Sequence, residues 1–129
     1  MKRLLLAIAA MIGLAGAAQA QDAAVGIWQT EPDDGSFAHI LIQPCGEALC
    51  GTIQRTFNAE GEYQASTIGR MLVIDMVPQG GGEYTGSVWR PSNDKIYYGK
   101  MSVDGDRLRL RGCLMGGLIC ASQNWVRAG

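Results

Sequence analysis

Residues 96–113 read IYYGKMSVDGDRLRLRGC, and their alternation decides the fold class. Tyr97, Gly99, Met101, Leu108, Leu110 and Gly112 take every second position, with Tyr98, Lys100, Ser102, Arg107, Arg109 and Arg111 between them. A period of two marks a half-buried strand, and Asp104-Gly105 suits the positive φ angles of a two-residue type I′ turn. With that loop, Met101 stands opposite Leu108, Gly99 opposite Leu110 and Tyr97 opposite Gly112 on one face. On the other face Lys100 meets Arg109, Tyr98 meets Arg111 and Ser102 meets Arg107. The first face requires a core and the second requires water.

The same alternation extends over the chain. Eight strands are expected: Val25–Thr30, Ala38–Cys45, Cys50–Phe57, Met71–Val77, Glu83–Arg90, Ile96–Val103, Asp106–Cys113 and Cys120–Arg127. Turn residues such as Asp33-Asp34-Gly35, Gly46-Glu47 and Gly80-Gly81-Gly82 separate them. Asn58–Ser66 fits either a loop or one turn of helix. A chain of 129 residues fits one domain, and 47% hydrophobic content argues against disorder. The formal charge of −1 excludes a strongly basic nucleic-acid binder.

Lys2-Arg3, an uncharged run from Leu4 to Ala18 and the small residues of Ala18-Gln19-Ala20 have the form of a secretory signal. Residues 1–20 are expected to be a cleaved signal peptide, and residues 21–129 a single periplasmic or secreted β-barrel domain. The four cysteines, Cys45, Cys50, Cys113 and Cys120, all fall in the exported part. An even count there reads as disulfides, since C-x4-C and C-x6-C lack the close knuckle spacing of a zinc site. In the hairpin register Cys45 faces Cys50 directly, with Ile42 opposite Ile53 inside. Cys113 faces Cys120 on the outer side, with Leu110 opposite Gln123 and Leu108 opposite Trp125 inside. Two local bridges follow, Cys45–Cys50 and Cys113–Cys120.

Eight short strands with one apolar face leave two open edges unless the first and last pair, and closure into a barrel removes both. The first strand carries Gly26-Ile27-Trp28 and the last Trp125-Val126-Arg127, so Trp28 and Arg127 can stack and hold the barrel shut. Strands of about seven residues and a charged exterior argue against a membrane-spanning barrel.

Gly26-x-Trp28 with a terminal Arg resembles the end-closing arrangement of lipocalins. The order of Leu49-Cys50-Gly51-Thr52-Ile53, Ile68-Gly69, Gly86-Ser87-Val88, Lys95-Ile96-Tyr97, Leu108-x-Leu110-Arg111-Gly112 and Gln123-Asn124-Trp125-Val126-Arg127 resembles the bacterial exported proteins catalogued as domain of unknown function 2147. That resemblance implies a small lipocalin-like barrel of the cell envelope and transfers no catalytic residue. Arg90-Pro91-Ser92-Asn93-Asp94 departs from the Asp-Pro and glycine turn of that family, and Asn58–Ile68 lacks an Arg-rich stretch, so altered function is expected if those positions serve it.

Chemistry is sparse. His39 is the single histidine and falls on an outer face, and no serine sits in a nucleophile elbow. Neither catalytic residues, a metal site nor a cofactor is expected. Inward parity collects Trp28, Ile40, Ile42, Ile53, Leu72, Ile74, Tyr84, Val88, Tyr97, Met101, Leu108, Leu110 and Trp125, with Arg55, Gln123 and Arg127. The small inward residues Gly86, Gly99 and Gly112 favour hollow space, although a filled barrel with satisfied core polars fits the same pattern. The expected function is non-catalytic binding of a small apolar or amphipathic molecule lined by Trp28, Tyr84, Tyr97, Gln123 and Trp125, with Arg55 meeting an acidic head group. The alternative is a surface module in which Lys100, Arg107, Arg109 and Arg111, or the clamped hairpin tips, bind an acidic envelope polymer or a partner protein. An unrecognised hydrolase ranks third.

Non-reducing peptide mapping should recover Cys45–Cys50 and Cys113–Cys120. A Cys45–Cys113 or Cys50–Cys120 peptide would overturn the strand register.

Overall fold

A computed structural model describes residues 22–129, and the expected signal segment 1–20 lies outside the described residues. The strands are β1 (Gly26–Gln29), β2 (Phe37–Cys45), β3 (Ala48–Asn58), β4 (Gly61–Tyr63), β5 (Met71–Gly80), β6 (Glu83–Arg90), β7 (Lys95–Asp104), β8 (Arg107–Leu114) and β9 (Ile119–Arg127). All strand pairs are antiparallel. β4 pairs only with the end of β3; the other strands close an eight-stranded up-and-down barrel through β1–β9 and β2–β3. Asn58–Ser66 is therefore a short β-hairpin as far as Tyr63, turned by the Asn58 side chain accepting the Glu60 N–H at 2.9 Å, and a loop beyond it.

The hairpin registers differ from expectation in one systematic way. Met101 pairs with Leu110, Val103 with Leu108 and Lys100 with Arg111, while Ile40 rather than Ile42 pairs with Ile53. The loops are Gly105-Asp106 and Gly46-Glu47, each with glycine first and at positive φ, as a type II′ turn requires. The type I′ pair occurs instead at Asp34-Gly35, where both φ values are positive. Each slip moves partners by two residues, so the inward and outward sets survive. Cys45 and Cys50 are consequently diagonal rather than directly opposed, and their bridge forms across a Cα separation of 5.7 Å. Cys113 and Cys120 are direct partners. Cys113 points outward yet is buried, because the 3-10 turn Met115–Gly117 packs against Tyr98, the residue opposite Cys113 on β7.

Bulges on β3 and β5 switch strand parity. On β3 the ladder skips Gln54 between Ile53 and Arg55, which turns Thr56 into the core and Arg55 out. On β5 the ladder to β3 skips Leu72 between Met71 and Val73, so Val73 is fully buried and Ile74 only half-buried; Asp75 (φ 48°) and Met76 then together oppose Gly86, which returns Met76 to the core. A Cβ on Gly86 would lie 2.5 Å from the Asp75 carbonyl oxygen. Gly86 thus admits bulged backbone, and the space beside Gly99 is occupied by Val88 and Met76. Of the three small inward residues, Gly112 alone borders hollow space.

The β1–β9 seam pairs Trp28 with Arg127 and Gln29 with Val126. Arg127 Cζ lies 4.2 Å from the Trp28 ring centroid. The guanidinium also donates to the carbonyls of Val25 (3.1 Å), Ala23 (2.8 Å) and Gly105 (3.2 Å) and to Asp106 Oδ1 (3.1 Å). Gly26 leaves room for it, since a Cβ there would lie 2.8 Å from Arg127 Nη1. Trp28, fully buried, donates its indole N–H to the Ala24 carbonyl at 2.8 Å.

Replacing Arg127 by alanine should destabilise the fold by about 3 kcal/mol in chemical denaturation, the combined scale of a desolvated cation–π contact and charged hydrogen bonds. Arg127→Lys should recover only a minor part, because an ammonium cannot supply the planar fork.

Candidate functional site

Up-and-down topology sorts the loops onto two ends. The tight turns at residues 46–47, 81–82 and 105–106 share an end with the start of β1 and with Arg127, which closes it. The β1–β2 loop, the β4 hairpin, the β6–β7 turn and the β8–β9 turn lie at the other end, where a cavity of about 760 Å³ opens. Its apolar wall is built from Ile53, Leu72, Val88, Leu110 and Trp125. Thr56, Tyr97 and Gln123 add polar groups to that wall, and the lining also includes the charged residues Glu31, Asp33, Asp34 and Arg90. Gln123 Oε1 accepts the Trp125 indole N–H at 2.8 Å, and among the described residues its amide nitrogen has no side-chain partner. Thr56 donates to the Tyr63 carbonyl at 2.5 Å and accepts from the Ala65 N–H at 3.3 Å, tying the β4 hairpin to the barrel. Asn93 donates to the Tyr97 hydroxyl at 2.7 Å.

Of the six residues expected to line a pocket, Tyr97, Gln123 and Trp125 do so. Trp28 is absorbed into the closed end. Tyr84 belongs there too: its hydroxyl donates to Asp22, and burial together with that carboxylate holds it protonated far above the ordinary phenol range. Arg55 stands outside the wall in a bidentate pair with Glu62 (2.8 and 2.6 Å), so no acidic head group meets it in the lumen. Topology alone could have placed Tyr84, which follows the closed-end turn by two residues. Thr56 was not legible, because only the bulge at Gln54 turns it inward.

The mouth is latched. Arg90, at the end of β6, donates to both carboxylate oxygens of Asp33 in the β1–β2 loop (2.9 and 2.8 Å), and Ser92 adds a bond at 3.3 Å. Arg90's hydrogen bonds hold the Asp33 carboxyl below its ordinary range. Asp94 accepts the Trp89 indole N–H at 2.8 Å, and Arg70 covers that ring at 3.7 Å. The 90–94 segment thus organises the mouth. On the opposite side Glu31 accepts the Asn124 N–H just beyond the last β1–β9 pair.

Elsewhere, Lys100, Arg107, Arg109 and Arg111 share the outer face of β7 and β8. Strand length does not set the barrel apart from membrane barrels, because β2, β3, β5, β7 and β9 each have 9–11 residues. No helix among the described residues is long and apolar enough to cross a membrane. His39 lies outside the wall, 3.0 Å from Gln29 Oε1 and tilted against Phe57, with burial lowering its pKa. Cys45, Cys50 and Asp75 cluster, but both sulfurs are consumed by their disulfide and offer no thiolate to a metal.

A family model described as an uncharacterized protein conserved in bacteria (DUF2147) matches residues 26–127. A solved structure of protein HP1028 from Helicobacter pylori, described as belonging to the lipocalin family, aligns with a TM-score of 0.64 at 14% identity. The alignment covers 81% of this chain and 82% of that one. No curated protein matches the chain.

Because the Asp33 pKa is depressed, the latch is intact above about pH 4 and is lost as pH falls through the lowered value. Amide exchange of the 33–36 turn should speed up in that acid range. Arg90→Gln should accelerate it roughly two- to fivefold at neutral pH, the scale of an exposed ion pair, and remove the acid response.

Proposed function

This chain belongs to the DUF2147 family, and we propose that it is a non-catalytic, exported binding protein that takes a small apolar or amphipathic molecule into its barrel. The observation that carries this reading is the cavity of about 760 Å³, apolar in its depth and open at one end. Pockets for small molecules commonly span about 300–1,000 Å³ and combine apolar walls with a few polar groups that orient the ligand. An apolar chain fits against Ile53, Val88, Leu110 and Trp125, while the Gln123 amide and Tyr97 hydroxyl meet a polar head.

Charge at the mouth refines the ligand class. Glu31, Asp33 and Asp34 line it, and Arg90 is engaged by Asp33. With Arg55 outside, a neutral or cationic head group suits this rim better than an acidic one. A non-catalytic role is consistent with His39 standing on the exterior, away from the cavity. The two disulfides suit an oxidising compartment, which supports export to the periplasm or beyond.

Gly112 gives a clean test, because a Cβ there meets only Tyr97 at an ordinary 3.5 Å and any larger side chain projects beside the cavity. Monoacylglycerol or an alkylamine should change the intrinsic tryptophan fluorescence of the wild-type protein saturably and be recovered chemically unchanged. Gly112→Leu should weaken binding roughly tenfold or more while leaving the unfolding midpoint nearly unchanged. Equal affinity in wild type and variant, or conversion of the recovered ligand, would refute this reading.

A further inference from the structure

The β8–β9 tip combines features that the lumen does not use. Leu114-Met115-Gly116-Gly117-Leu118-Ile119 contains no polar side chain, and its four large residues are 54%, 74%, 78% and 56% exposed in chain order. Water-facing apolar side chains concentrated on one protruding turn mark a contact surface. The Cys113–Cys120 bridge closes the base of that turn, so little chain entropy is lost when it docks. Leu114 and Ile119 also border the cavity mouth, which makes the apolar surface continuous from tip to lumen.

The surroundings identify the partner. Tyr98 and Lys100 pack beneath Gly117, where a Cβ would lie 3.2 and 3.4 Å from them. Lys100 stands directly opposite Arg111, two like charges that repel unless an anion lies between them. Over β7, β8 and β9 the single carboxylate is Asp104, at the far end of the barrel. An apolar prow, a tyrosine at its base and cations behind it match, in order, the acyl region, the interface and the anionic head groups of a bilayer. A stable protein interface needs about 800 Å² from each partner, and one convex turn of six residues supplies too little.

We propose that the Leu114–Ile119 tip docks this protein on an anionic phospholipid surface. Met115 and Leu118 enter the interface, while Lys100 and Arg111 contact lipid phosphates.

Flotation of the purified protein with phosphatidylethanolamine–phosphatidylglycerol vesicles tests this against pure phosphatidylcholine. Wild type should float with the anionic vesicles and lose binding as salt is raised. Met115→Ser/Leu118→Ser and Lys100→Gln/Arg111→Gln should each weaken partitioning by about tenfold or more. Both pairs are surface changes, and retained disulfides and tryptophan fluorescence verify folding. Gly112→Leu should float like wild type, which separates docking from lumen binding. Unchanged flotation of the Met115→Ser/Leu118→Ser variant, as expected if other residues hold the lipid, would overturn the proposal. So would a wild type that ignores anionic vesicles yet is retained on an acidic polysaccharide or a protein partner.

Discussion

The guanidinium of Arg127 holds the two ends of the chain together. Most neighbouring strands in the barrel share longer ladders, but β1 and β9 share two residue pairs, so backbone hydrogen bonding alone gives a thin seam. Side chains complete it: the Trp28 ring below the guanidinium, three main-chain carbonyls and Asp106 around it. Gly26 matters because it has no Cβ to displace that cation. The motif Gly26-x-Trp28 is thus half of an interaction whose other half lies at the far end of the sequence. An unclosed sheet would leave the cavity wall as ordinary surface with two exposed edges.

Strand number, faces, closure and both disulfides were legible because each depends on parity, and parity survives a two-residue slip. Choosing Asp104-Gly105 instead of Gly105-Asp106 as the loop misplaced every partner in the hairpin but no residue's face. A single extra residue is different. Gln54, Leu72 and Asp75 each insert one, and beyond each of them inward and outward exchange. Nothing in the local alternation announces Asp75, a non-glycine residue in the left-handed region. Gly86 is its trace in sequence, since that glycine is required by the carbonyls bulging toward it.

The candidate site was half legible for a related reason. Parity tells whether a side chain points in, but not how deep along the axis it lies. Trp28 and Tyr84 are inward as expected, yet they serve the sealed end, while Tyr97, Gln123 and Trp125 serve the open one. The latch from Asp33 to Arg90 joins residues 57 positions apart, and no short-range pattern carries such a pair.

The shortness of β1 leaves the wall unequal around its circumference. Above Gln29 the seam passes from a peptide ladder to one carboxylate, Glu31, holding the Asn124 N–H. A ladder opens cooperatively, whereas a lone side-chain bond opens by a rotamer change. The upper part of that seam is therefore held by one rotatable acid. On the proposed binding role, a change of the Glu31 rotamer would widen the chamber at its side, and a guest longer than the chamber could lie partly there.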